Sequence, residues 1–272
     1  MFIANILLGL TCVIAFFLGL FIIISNPRKS ENRVLASFIF AICIWLLSNL
    51  ATNLSADPGQ ALFFARTTFI GPILLSYLFY VFVRVFIATE KNTPWYLFLI
   101  SIPALLLLSI TFTKLNVESI SAYGANTKVG VAYTLLIPVI LTYITFGLLS
   151  LIRFYKRSKD SVKKVQIRYI FAGAVAAIVP GLIINGILPV FGNYAANLYG
   201  PNAVIFLAIF MSIAIVKHRL LDIRLIVARS LTYALLLAVV VIFYGIIIFG
   251  IGSKILPSSQ LNLFERLFYV TF

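Results

Sequence analysis

Eight apolar runs of near-membrane length follow one another along the chain, at 2–25, 34–52, 61–86, 95–112, 132–151, 170–190, 203–216 and 231–250. About 20 apolar residues in a helix cross the roughly 30 Å hydrocarbon core of a bilayer. Only elements that satisfy every backbone N–H and C=O internally are stable there. The pattern predicts an all-α membrane protein: an antiparallel bundle of about eight transmembrane helices joined by short links. A further run, 263–272, stops after about ten residues and is too short to cross. It reads as the start of a ninth span, so the chain is expected to be a fragment or an incomplete product. Composition agrees: 62% of residues are hydrophobic and 10% charged, against roughly 25% charged in soluble domains. A polar coat for a water-soluble fold is missing. Both cysteines, Cys12 and Cys43, lie inside apolar runs, which excludes a secreted disulfide scaffold.

Charge gives the orientation. No basic residue precedes the first run, and Arg28, Lys29 and Arg33 follow it. That is the reverse of a cleaved signal peptide and places the N-terminus outside. Alternate links then collect sixteen basic residues on one side, with seven of them between Arg153 and Arg168. Five fall on the other (Arg66, Lys114, Lys128, Lys254, Arg266), completing the 21 Lys and Arg. The richer side is cytoplasmic. The net charge of +14 is therefore an orientation signal, with membrane lipids and not nucleic acid as the partner it implies. Basic residues beside an anionic leaflet each contribute about 1 kcal/mol.

Chemistry inside the bilayer would announce itself through ionisable residues at mid-depth. Glu31, Asp57, Glu90, Glu118, Asp160, Asp222 and Glu265 all lie in links or at span ends. His218 has no second ligand at metal-binding spacing, and no phosphate loop or nucleophile constellation is present. The chain is not expected to be an enzyme, and no cofactor, metal or catalytic residue is assigned. Two arginines break the charge-free interior. Arg66 and Arg84 are eighteen residues apart, which on a continuous helix puts them on one face and roughly 27 Å apart. Each then either snorkels to its own interface, or Arg66 serves as a ligand-binding cation in the outward half. Trp45 and Asn49 on the second span, Tyr133 on the fifth and Asn185 on the sixth sit at similar depth. With Arg66 they form a candidate ligand pocket for an unknown ligand. Interhelical hydrogen bonds and an aromatic belt account for the same residues without one. The longest external link, 113–130, carries Asn116, Tyr123, Gly124 and Gly130, a turn-rich composition suited to a hairpin or lid.

The segment 217–230 (KHRLLDIRLIVARS) has apolar residues at helical spacing and charges elsewhere. His218 and Arg219 each reach Asp222 at helical spacing. Together with Arg224 and Arg229 these residues form a candidate signal-coupling elbow on the inner leaflet; a plain basic stop between spans fits the composition equally.

Two stretches carry a family resemblance. One is 26–79, with its basic link, Trp45, and Leu62-Phe63-Phe64-Ala65-Arg66 followed by Pro72. The other is 214–237, AIVKHRLLDIRLIVARSLTYALLL. Both resemble the N-terminal seven-span membrane input region of bacterial sensor histidine kinases. The resemblance implies a non-catalytic sensor domain over 1–230, including the 217–230 elbow; the eighth span and truncated ninth that apolar length gives over 231–272 depart from that seven-span pattern. It also implies a cytoplasmic kinase partner, in cis and missing here or in trans, a homodimer, and residence in the cell membrane. His218 lacks the acidic-residue-and-proline context of a phosphoacceptor and is not given that role. A small-solute transporter or permease is the alternative, and it requires a continuous polar path.

Overall fold

Leu8, Cys12, Ala15, Leu18 and Ile22 recur at every third or fourth position and are all buried. This stripe defines the inner face of α1 (Phe2–Ser25). It packs on a matching stripe of α2 (Ser30–Leu54), where Leu35, Ile39, Ile42 and Leu46 are buried. The computed structural model describes residues 2–87, 94–124, 127–188, 191, 200–203 and 210. All belong to a compact unit, Met1–Ala228, while the second unit, Arg229–Phe272, lies outside the described residues.

The third apolar run is one helical span, Pro58–Ile87, with an irregular turn inside it. It forms α3 (Pro58–Thr68) and α4 (Ile70–Ile87), separated at Phe69. Pro72 is the reason: it has no N–H to give the Thr68 carbonyl, and its ring crowds that carbonyl. The helix that relates Arg66 to Arg84 therefore passes through an irregular turn at Phe69. Next come α5 (Pro94–Ile110), α6 (Ala132–Arg157) and α7 (Ser161–Leu182), with a π-helical turn at Ile183–Ile187. Pro103, Pro138 and Pro180 lie inside their helices without ending them. α7 begins nine residues before the apolar run expected at 170, because Asp160 caps it through Val162 N–H at 2.8 Å and Lys163 N–H at 3.2 Å.

Among the described residues, five helical segments are long and apolar enough to cross a membrane: Ala4–Ile24, Ser30–Leu54, Pro58–Ile87, Ala132–Arg157 and Ser161–Leu182. The apolar helix Phe98–Ile110 is shorter. The expected seventh and eighth spans and the 263–272 stretch fall largely or wholly outside the described residues.

α2 and α4 form the middle of the bundle, with α1 against α2 and α6 against α4. Small residues set the closest approaches, as in membrane helix pairs generally. A Cβ at Gly71 would overlap the Trp45 side chain, and one at Gly147 would lie 2.8 Å from Phe79. The main core joins α1, α2, α4, α7 and Leu151 of α6; a second cluster joins α4, α5 and α6 around Tyr80, Leu107 and Tyr143. Outward, Phe98, Leu105, Leu106 and Phe146 are more than half exposed. Such a surface is costly in water and suited to acyl chains.

Candidate functional site

The ends of α2, α3, α5 and α6 are gathered under one small hairpin. Val117–Ser119 (β1) pairs antiparallel with Lys128–Val129 (β2). The tip turns through Ala122–Gly124, where Tyr123 (φ 56°) and Gly124 (φ 74°) are both left-handed. For tyrosine this backbone is uncommon. It brings the Tyr123 N–H onto the Ser55 carbonyl, just past α2, at 2.8 Å.

The base of the hairpin is closed by the main chain. Gly130 N–H donates to Asn116 O and Ala132 N–H to Leu115 O, both at 2.8 Å. A Cβ at Gly130 would overlap the Leu115 carbonyl, so this crossing requires glycine. Buried Asn116 fixes the other strand by donating from Nδ2 to Thr111 O at 3.1 Å. Across the strands Lys128 and Glu118 pair at 2.6 Å on the exposed face. The Glu118 carboxylate holds the Lys128 ammonium above its ordinary pKa of 10.5.

Arg66 ties the hairpin to α3. Its Nε and Nη2 donate to Val117 O at 3.2 and 2.8 Å, and Nη1 donates to Phe112 O at 2.9 Å. The guanidinium thus spans the end of α5 and the first strand, a two-point grip that its planar fork makes possible. Beside it Phe63 stacks on Phe112, with ring centroids 5.8 Å apart. Asp57 and Pro58 start α3 in the required place: the Asp57 carboxylate accepts from Gln60 N–H at 2.7 Å, and Pro58 sits in the first turn.

Of the other pocket candidates, Trp45, Asn49 and Tyr133 make contacts within the bundle. Trp45 lies against Gly71. Asn49 donates from Nδ2 to the Trp45 carbonyl of its own helix at 2.8 Å. Tyr133 meets Phe69 edge-on, ring centroids 5.8 Å apart. Asn185 falls within the π-helical turn of Ile183–Ile187. Sequence reasoning did not find Asn5, which accepts from Asn53 Nδ2 at 2.9 Å and joins α1 to α2. Nor did it find Phe112 and Val117, whose role is carried by main-chain oxygens that leave no trace in residue type. The elbow residues His218, Arg219, Asp222, Arg224 and Arg229 lie outside the described residues. Among the described residues no group of three His, Cys, Asp or Glu is placed to hold a metal ion.

Membrane-length helices packed through small residues, with an arginine-tied hairpin over one end, define a multi-span membrane domain. The family described as the N-terminal 7TM region of histidine kinase matches residues 7–224, and the chain belongs to that family. This agrees with the resemblance carried by 26–79 and 214–237. The match covers a membrane input region and identifies no catalytic domain. No curated protein and no solved structure matches the chain.

Proposed function

We propose that the chain receives an external or membrane-borne signal and passes it, through a change in helix packing, to a cytoplasmic histidine kinase. The observation that carries this reading is membership of the input-region family over residues 7–224. In this reading the chain sits in the cell membrane with its N-terminus outside and about eight spans. Residues 1–230 are the sensor domain and 231–272 add the eighth span and the start of a ninth. The kinase acts in cis or in trans, and the working assembly is a homodimer. The hairpin end is then external, and the signal acts on the region of Trp45, Asn49, Arg66, Tyr133 and Asn185. The elbow at 217–230 carries the change inward. A ligand shifts such an equilibrium only by its difference in affinity for the two packings, so the useful contacts are ones that exist in one packing alone. The Arg66 tie is suited to this, because its three bonds are lost together when the hairpin lifts.

The test joins a cytoplasmic phosphoacceptor and ATP-binding region behind Arg229 and follows autophosphorylation in reconstituted vesicles. Arg66→Ala is expected to change the rate severalfold while helicity is kept. Alkaline phosphatase fused after Ile120 is expected to be active, and after Lys159 inactive. Kinase output indifferent to Arg66→Ala, together with saturable solute flux through the same vesicles, would replace the sensor reading with a transporter.

A further inference from the structure

Away from the hairpin, α6 and α7 meet in a turn whose charges are held in an ordered way. Between Arg153 and Arg168 there are seven basic residues and one acid, Asp160. The acid is engaged as the cap of α7. Tyr155, in the last turn of α6, receives hydrogen bonds from Arg168 Nε at 3.0 Å and Nη2 at 2.6 Å. The Arg168 guanidinium also lies over that ring, 5.5 Å from its centroid, and Lys164 Nζ lies over it at 5.5 Å. Lys163 Nζ is 5.6 Å from the centroid of the neighbouring Phe154 ring.

We propose that this cluster binds the headgroup phosphate of an anionic phospholipid in the adjoining leaflet. Three cations are drawn together on two successive aromatic rings, and among the described residues no carboxylate forms an ion pair with any of them. Cation–ring attraction offsets part of their mutual repulsion; an anion among them removes the rest. Orientation of the chain needs basic residues on this side but does not need them seated on rings. Arg168 offers five N–H donors, of which two are used on Tyr155, so a fixed guanidinium still has donors for phosphate oxygens.

Placement favours a lipid over a soluble anion. The turn joins two helices of membrane length, so it lies where headgroups lie. Lys163 and Lys164 are half-buried, with their ammonium groups over the two rings at the end of α6. Along α6 the exposed apolar residues Phe146, Leu149 and Ile152 run up to the cluster and offer a track for an acyl chain.

The test uses the full chain in neutral detergent, with lipid retention read by native mass spectrometry. Phosphatidylglycerol is compared with phosphatidylcholine, and inorganic phosphate and glycerol phosphate serve as soluble arms. Phosphatidylglycerol is expected to be retained about tenfold to a hundredfold more strongly, as three basic contacts imply. K163Q/K164Q/R168Q is expected to abolish the preference. K156Q/R157Q/K159Q removes the same charge from exposed residues that have no ring contact, and is expected to keep most of it. Y155F keeps the ring but drops the acceptor for Arg168, and is expected to weaken the preference about threefold. Circular dichroism checks the fold of each variant, and Y155F carries the test if a triple variant does not fold. Equal losses in the two triple variants, or no preference between the lipids, would overturn the proposal. So would full displacement of the lipid by inorganic phosphate, which would mark a soluble-anion site.

Discussion

Replacing Arg66 with alanine removes three hydrogen bonds at once, and their combined worth follows from the geometry. A hydrogen bond with a charged partner contributes about 1.5–3 kcal/mol. Here Arg66 is half-buried and water can take over part of its role, whereas the buried Val117 backbone loses both of its guanidinium donors. A local cost of about 2–4 kcal/mol results, less than half of the simple sum of about 4.5–9 kcal/mol. The cost falls on hairpin closure and not on the bundle, because the other end of the tie is main chain of the 111–119 segment. At about 1.4 kcal/mol per factor of ten, hairpin opening rises about 30-fold to several-hundred-fold. Amide hydrogen exchange in nanodiscs reads this directly. The Tyr123, Gly130 and Ala132 amides, whose acceptors are Ser55, Asn116 and Leu115, should exchange faster by that factor. Amides around Leu46 in the core should not change. Arg66→Lys should behave nearly as Arg66→Ala, since a single ammonium does not span Phe112 and Val117 with the same fork. Hairpin exchange unchanged in Arg66→Ala, or accelerated equally throughout α2 and α4, would refute the reasoning.

Other consequences are equally direct. Gly71→Ala should destabilise the bundle by about 1–3 kcal/mol through overlap with Trp45, while Gly9→Ala, whose Cβ meets nothing within 4 Å, should be near neutral; thermal unfolding in one detergent compares them. Cys12 Sγ lies 3.9 Å from Cys43 O and Cys43 Sγ 3.7 Å from Cys12 O, so the two thiols face each other across α1 and α2. Molecular iodine should convert them to a disulfide, taking two electrons and releasing two protons. A chain cut within the 26–29 link would then stay whole on a non-reducing gel, and separation of the halves would disprove the α1–α2 register. The Lys128–Glu118 pair should hold through neutral and mildly alkaline pH. Because the folded ammonium titrates above 10.5, its contribution is complete below that value and fades as pH rises through the raised one. Exchange of the Val129 amide across that range, compared with Lys128→Gln, checks the sign.

Membrane character was legible because hydrocarbon thickness acts as a ruler on apolar length, and α1, α2 and α6 lie close to where it puts them. The same ruler hid the irregular turn at Phe69: hydropathy runs unbroken across 61–86, and Pro72 in a sequence does not say whether a helix bends or stops. α7 starts early because Asp160 caps it, so charged residues that look like a link, Lys163 and Lys164 among them, are helix. The hairpin could be sensed from Asn116, Tyr123, Gly124 and Gly130. The partners of Arg66 could not, since both are carbonyl oxygens common to every residue type. Trp45, Asn49 and Tyr133 stood out as polar or amphipathic groups at one depth; their contacts with Gly71, helix backbone and Phe69 were not legible in residue type.

The irregular turn at Phe69 bears on the mechanics of this span. Above it, α3 is harnessed to the hairpin through Arg66; below it, α4 is wedged among α2, α5 and α6. A continuous rod conveys axial thrust from one end to the other. A rod with one irregular turn, where a proline has removed a hydrogen bond, bends there more readily than elsewhere. Bending at Phe69 is the soft degree of freedom that the proline gives Pro58–Ile87.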